Sequence, residues 1–162
     1  IEGRTKSEYY AAMCTRSYRK AIDDMSSGFP FDTQNLQDLL ALSNRSYTTG
    51  FYTRNPKEFG ENTAEGRSRE LTHKVAGIFV EYNHSTGLLS FECKNRLEIG
   101  TKIEIITPNT VAQINVVELR NDKGKFVETC HGGSGKYSIP FEYDPGEFAI
   151  LRRPIYKDEL AT

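Results

Sequence analysis

The chain has 162 residues, with 21 Lys plus Arg against 22 Asp plus Glu and a formal net charge of -1. That balance excludes a strongly basic nucleic-acid clamp or a polybasic membrane anchor as the overall design, although not a local basic patch. The length suits one compact domain with an attachment, burying roughly 70% of the unfolded surface without help from disulfides or metal. Mean hydropathy is -0.57, and the longest apolar run, about five residues, is far short of the ~20 needed to span a bilayer. Three cysteines, Cys14, Cys93 and Cys130, are odd in number and far apart, which reads as reduced thiols in a cytoplasmic protein. No signal-peptide pattern is visible in an opening that carries Glu2, Arg4 and Lys6.

The first four residues, Ile-Glu-Gly-Arg, match the recognition site of a protease used to process engineered fusions. Cleavage there would leave Thr5 first, so the expectation is native sequence and a C-terminal piece of something longer. Residues 5–25 read as an amphipathic helix opened by a Thr5–Glu8 capping box. Its apolar stripe is Tyr10, Met13, Cys14, Tyr18, Ala21, Ile22 and Met25, and Gly28 followed by Phe29-Pro30 ends it. A second helix is expected from Thr33 to about Leu42, with Asp32 as N-cap and Leu36, Leu39 and Leu40 buried. The first stripe needs a large partner that the few preceding residues cannot supply, which points to an upstream domain.

Residues 54–73 are polar, contain glycine and lack a period, so they read as a long loop. From Lys74 the period becomes two: Ala76, Ile78, Val80 and Tyr82 alternate on one strand, Leu89, Phe91 and Cys93 on the next, joined by a hairpin at Asn83–Gly87. Further strands are expected at Lys102–Thr107, Val111–Arg120, Lys125–Thr129, Tyr137–Tyr143 and Phe148–Leu151, with Asn121–Gly124 as a hairpin turn. The whole is an α+β chain, N-terminal helices followed by a small antiparallel β-barrel of six to seven strands. Its parts are a helical segment over 1–44, a connecting loop over 45–73 and the barrel domain over 74–162.

Little here resembles a catalytic constellation. His73, His84 and His131 lie in three expected loops, without a nucleophile elbow, a Cys-x-x-Cys or a His-x-x-x-His pair. Cys130 and His131 would point to opposite faces if their strand continued, and they read as a half-buried thiol beside a turn histidine. Each cysteine fits a small apolar role, and no metal site is expected from this chain. His131–Lys136 superficially resembles a phosphate-binding loop but lacks its spacing and a following helix, so it reads as an inter-strand loop. Cations gather at Arg16, Arg19 and Lys20 and again between Arg45 and Lys74, where Tyr47, Phe51 and Tyr52 are interleaved. Such mixtures can grip a nucleic-acid backbone and stack a base, and equally they can be a solvated face.

Two stretches are more specific. Ile1–Tyr10 (Ile-Glu-Gly-Arg-Thr-Lys-Ser-Glu-Tyr-Tyr), continuing to Tyr18-Arg19-Lys20-Ala21-Ile22, resembles the end of the barrel domain of the collagenase-like peptidase family U32. Arg45-Ser46-Tyr47-Thr48-Thr49-Gly50-Phe51 is similar to a second motif of that family, and Lys94 through Arg153 to its C-terminal β domain. The resemblance makes residues 5–25 the last helix of a missing (β/α) barrel. It places Glu2, Arg4 and Lys6 near the mouth of that barrel, where Arg4 and Lys6 could hold an anionic substrate group. The plainer alternative is that Glu2 and Arg4 pair with each other or with neighbouring strands. Arg45, with Thr49 and Gly50, would form either part of the substrate-binding set or a structural joint.

Family members are named as peptidases, yet others use an iron–sulfur cluster to hydroxylate tRNA, ribosomal RNA or a quinone precursor. The resemblance implies that any cluster sits in the missing barrel, with no cofactor held by this chain. The leading expectation is therefore a substrate-engaging accessory β domain whose partner is its own upstream barrel, with a tRNA-hydroxylating parent. A collagenase-like protease binding peptide substrate is the alternative, and a purely structural module the third.

Overall fold

The structure is a computed structural model, and it describes residues 1–42 and 72–159. Arg45, Tyr47, Thr49, Gly50, Phe51, Tyr52 and the expected loop as far as Leu71 lie outside the described residues. The chain divides into two compact units, Ile1–Thr72 and His73–Thr162.

The first unit carries helix α1 (Glu8–Ser26) and helix α2 (Thr33–Leu40). The expected capping box does not form: the N-cap is Ser7, whose hydroxyl accepts from the Tyr10 N–H at 3.2 Å. Lys6 N–H instead closes a turn on the Gly3 carbonyl at 3.0 Å, which leaves Thr5 outside the helix. At the other end Gly28 takes φ +76°, a left-handed value that suits glycine, and Phe29 N–H reaches back to the Asp24 carbonyl at 2.8 Å.

The expected apolar stripe is divided. Tyr9, Met13, Cys14 and Ser17 are buried, while Tyr18, Ile22 and Met25 are exposed. In α2 the Asp32 cap forms as expected, accepting from the Gln34 N–H at 2.9 Å. Its buried residues, however, are Asn35 and Asp38, and Leu36 is exposed. The reason is an ion pair: Arg16 of α1 meets Asp38 at 3.2 Å with both side chains largely out of water, so the polar edge of α2 turns inward.

Among the described residues the second unit has nine strands: β1 (His73–Asn83), β2 (Leu88–Cys93), β3 (Leu97–Glu98), β4 (Lys102–Ile106), β5 (Val111–Asn115), β6 (Arg120–Asn121), β7 (Thr129–Cys130), β8 (Lys136–Pro140) and β9 (Ile150–Pro154). Seven form one antiparallel sheet in the order β5-β4-β9-β1-β2-β8-β6, and β3 pairs with β7 separately. The expected barrel is not closed by strand pairing among the described residues: β5 and β6 end the sheet. The stretch expected as one strand over Val111–Arg120 breaks after Asn115. Val116 turns to bond Thr101 and Gly100 (2.9 and 2.7 Å), and Val127 N–H bonds the Leu119 carbonyl. The irregular backbone between β5 and β6 is anchored by buried Val116 and Leu119.

Two β-bulges in β1 decide which side chains enter the core. One sits between Val75 and Gly77 against β9, the other between Phe79 and Glu81 against β2. A bulge adds one residue and so moves the inward face by one position. The residues paired with core-facing Cys93, Phe91 and Leu89 are accordingly Gly77, Phe79 and Tyr82; of the expected alternation Ala76 and Tyr82 do reach the core, Phe79 packs against it as well, and Val80 is exposed. Gly77 is glycine because a Cβ there would lie 2.2 Å from a Phe91 ring carbon and 2.9 Å from the Glu92 carbonyl oxygen. On the other side β8 lays Ile139 opposite Leu89 and Tyr137 opposite Phe91. The core between these strands gathers Leu89, Phe91, Leu97, Ile103, Ile105 and Leu151. His73, expected in a loop, opens β1.

Candidate functional site

Glu2, Arg4 and Lys6 occupy the loop that leads into α1, and all three side chains are exposed. The loop is shaped by its own backbone: the Arg4 N–H donates to Glu2 Oε1 at 2.8 Å, and the next turn closes through Gly3 and Lys6. Glu2 thus uses its carboxylate on the Arg4 backbone and leaves the guanidinium directed to solvent. Lys6 Nζ lies 5.6 Å from the centre of the Tyr10 ring, a cation–π distance that holds it over the first turn of α1. Arg4 and Lys6 thus share the approach to the α1 N-terminus with the carboxylates of Glu2 and Glu8. Arg45 lies outside the described residues.

The second unit has a more built site at the end of β9. Arg153 is fully buried, and its guanidinium donates to the Arg96 carbonyl (2.6 Å), the Pro154 carbonyl (2.8 Å) and both carboxylate oxygens of Glu159 (2.8 and 2.9 Å). Glu159 also accepts from the Tyr156 N–H at 3.0 Å and from Lys74 at 3.2 Å. Hydrogen bonds from Arg153 first, then from Tyr156 and Lys74, outweigh its partial burial and hold its pKa at about 2, against 4.5 ordinarily.

The guanidinium groups of Arg153 and Arg96 lie 3.7 and 4.7 Å from the centre of the Tyr156 ring. The Tyr156 hydroxyl in turn meets Thr101 Oγ1 at 2.7 Å and accepts from the Glu98 N–H at 3.2 Å. The segment after β9, including a 3-10 turn at Lys157–Glu159, is thereby tied across β1, β3 and the start of β4.

Beside this tie lies an open cavity of about 430 Å³, lined by Glu98, Ile99, Gly100, Thr101, Lys102, Pro154 and Tyr156. It offers one ammonium, one carboxylate, two hydroxyls and an apolar wall, which is a binding inventory and not a catalytic one. The neighbouring Arg152 meets Glu104 at 2.6 Å. Burial would raise the Glu104 pKa, but hydrogen bonds from Arg152 and Gln113 win and lower it.

Sequence reasoning passed over Arg153, Tyr156 and Glu159. The available signal was an Arg-Arg pair inside an apolar strand, where charges are tolerated only if partnered. The expected inter-strand loop at His131–Lys136 does form: its turn is closed by Ser134 on the His131 carbonyl, and strand β8 follows it rather than a helix. His131 is exposed and Cys130 fully buried. Among the described residues no three His, Cys, Asp or Glu side chains converge as a metal site, and no described helix is long and apolar enough to cross a membrane.

Residues 71–152 match the family model "Peptidase family U32 C-terminal domain", and residues 1–62 match "Peptidase family U32". The chain belongs to peptidase family U32. Among curated proteins, this U32 chain is 34% identical over 154 residues to "tRNA hydroxylation protein P" of Escherichia coli strain K12, covering 94% of this chain and 34% of that protein. The Haemophilus influenzae protein of the same name is 34% identical over 132 residues, 82% of this chain and 29% of that one. A Methanocaldococcus jannaschii protein named "Uncharacterized protease MJ0090" is 31% identical over 137 residues, 82% of this chain and 34% of that protein. The U32 chain therefore spans about a third of the length of the curated relatives it matches.

Proposed function

We propose that this chain is the substrate-engaging end of a tRNA-hydroxylating U32 protein whose catalytic barrel lies upstream, and that it has no activity by itself. The observation that carries the reading is the 34% identity to tRNA hydroxylation protein P across 94% of the chain. In this reading the upstream barrel is the first partner. It covers the exposed stripe of Tyr18, Ile22 and Met25 with Phe29 and Phe31, apolar residues that a free helix pair would not leave in water. Arg4 and Lys6 hold an anionic group of the substrate, and the β unit contributes further contacts in a cytoplasmic setting.

An iron–sulfur cluster does not fit this chain. Such clusters take about four thiolates, or histidines replacing some of them. Cys14 stands on α1, while Cys93 and Cys130 are sealed in the β core without a third ligand among the described residues. A cluster, where the parent uses one, belongs to the barrel.

The test is tRNA binding by the chain at increasing salt. The expectation is weak binding whose affinity falls with salt, with a logarithmic slope reduced by about one for each of Arg4→Ala and Lys6→Ala. Binding of gelatin peptides without salt dependence would instead support the second reading, which the protease name of the Methanocaldococcus relative favours. Binding of neither would leave a structural module.

A further inference from the structure

Cys93 ends β2 and Cys130 ends β7, so the two thiols come from different sheets and are separated by 36 intervening residues in the sequence. Their sulfurs nevertheless lie 3.1 Å apart, about 1 Å more than a disulfide bond. Both are free and both are buried, Cys93 at 1% exposure and Cys130 at 0%.

The backbone clamps them in place. Gly133 N–H donates to the Cys93 carbonyl at 3.1 Å, and Cys93 N–H donates to the Gly135 carbonyl at 3.0 Å. Gly132 is pressed so closely on the Lys94 carbonyl that a Cβ would sit 2.3 Å from its oxygen. Two segments held this tightly on one side and by the Leu97–Cys130 pairing on the other cannot separate their thiols without opening the sheet.

We propose that Cys93 and Cys130 are a redox modification site, a buried dithiol that a hydroperoxide converts reversibly to an intrachain disulfide. Cys93 is the attacking sulfur. The hydrogen bond between the two sulfurs lowers the Cys93 pKa against the opposing effect of burial, with help from the Asn95 backbone and from the positive charge of Arg153, whereas the Cys130 thiol is pushed up. The Cys93 thiolate attacks one peroxide oxygen, the O–O bond breaks, and hydroxide leaves to take up a proton as water. Cys130 then attacks the sulfenic sulfur of Cys93. The S–S bond forms, the S–O bond breaks, and the Cys130 proton leaves with the hydroxyl as the second water. Two thiols and one hydrogen peroxide become one disulfide and two waters, and an added thiol reductant restores the pair. Burial withholds the sulfenic acid from a second oxidation and from other chains.

The test treats the folded 162-residue chain with hydrogen peroxide, then blocks free thiols in denaturant and maps peptides by mass. The expected result is loss of two of the three thiols, a mass lower by two hydrogens, a Cys93–Cys130 linked peptide, and full reversal by dithiothreitol. Cys14→Ala should behave as the parent does, and Cys93→Ala should lose the reaction. Oxygen adducts on Cys93, a linkage through Cys14, cross-linked dimers, or three thiols intact after treatment would each overturn the proposal. Peptide mapping on the unaltered chain decides the matter even where Cys93→Ala does not fold.

Discussion

Glu159 gives the sharpest quantitative test of the tie at the end of β9. Its pKa of about 2 in the folded chain, against 4.5 ordinarily, means that folding favours the ionised carboxylate. At about 1.4 kcal/mol per pKa unit, that preference is worth at most ~3 kcal/mol. The Glu159 side chain is still 19% exposed, and solvent screening brings the expected contribution to about 1–2 kcal/mol. The sign follows from the direction of the fall: the stabilisation is fully present above pH 4.5 and disappears as the pH drops from 4.5 toward 2.

Glu159→Gln keeps the shape and removes the charge. Urea unfolding followed by circular dichroism, at several pH values from neutral to strongly acid, should show the variant less stable by about 1–2 kcal/mol at neutral pH. The gap should close as the parent's carboxylate is protonated. Glu104, Asp23 and Asp32 are also held below their ordinary values, but they titrate in both proteins and cancel in the difference. A gap that is absent at neutral pH, or that persists unchanged into acid, would refute the argument that Glu159 is held by charge.

Gly77→Ala should cost about 2–3 kcal/mol, because its Cβ must displace the buried Phe91 ring or the Glu92 backbone. A thermal midpoint within about a degree of the parent would mean that the bulged register is misplaced. Ser7→Ala should weaken α1 by about 1 kcal/mol while Thr5→Ala leaves it nearly unchanged, read by amide exchange in the first turn of the helix. The reverse order would restore the capping box at Thr5.

Local signals carried much of the fold. Asp32 before Thr33, the turn at Asn83–Gly87 and the alternation of Leu89, Phe91 and Cys93 are all readable from neighbours in sequence, and the structure has them. What was hidden depends on distant partners. Ser7 and Thr5 are both competent caps, and only the turn from Lys6 to Gly3 selects between them. The inward face of β1 follows from its own two extra residues, Ala76 against β9 and Val80 against β2, whose positions show only in the pairing with those strands. In α2 Leu36 faces water and Leu39 and Leu40 are only half-buried, while Asp38 turns inward because Arg16 sits opposite. The same holds for the candidate sites: Glu2, Arg4 and Lys6 come from a contiguous motif, whereas Arg153 joins the nearby Tyr156 and Glu159 to Arg96, which lies 57 residues away in the sequence.

Charge pairing also constrains how this chain engages a polyanion. In the β unit Lys74, Lys94, Arg96, Arg120, Arg152 and Arg153 each face a carboxylate within 4 Å. The exposed pairs are worth about 0–1 kcal/mol and can exchange their carboxylate for a phosphate. Arg152 and Arg153 cannot: both are at most 5% exposed, and turning either toward a phosphate would break its bonds to Glu104 or to Glu159 and the Arg96 and Pro154 carbonyls. These two adjacent arginines are therefore committed to the fold. A substrate phosphate would be met by Arg4 and Lys6 on the loop before α1, and by exposed β-unit cations such as Lys102 at the cavity. Among the described residues Arg4, Lys6, Lys102, Lys123, Lys125, Lys136 and Lys157 are exposed and face no carboxylate in an ion pair, so a salt-dependence slope for tRNA binding well below one would refute a phosphate-gripping role for these cations.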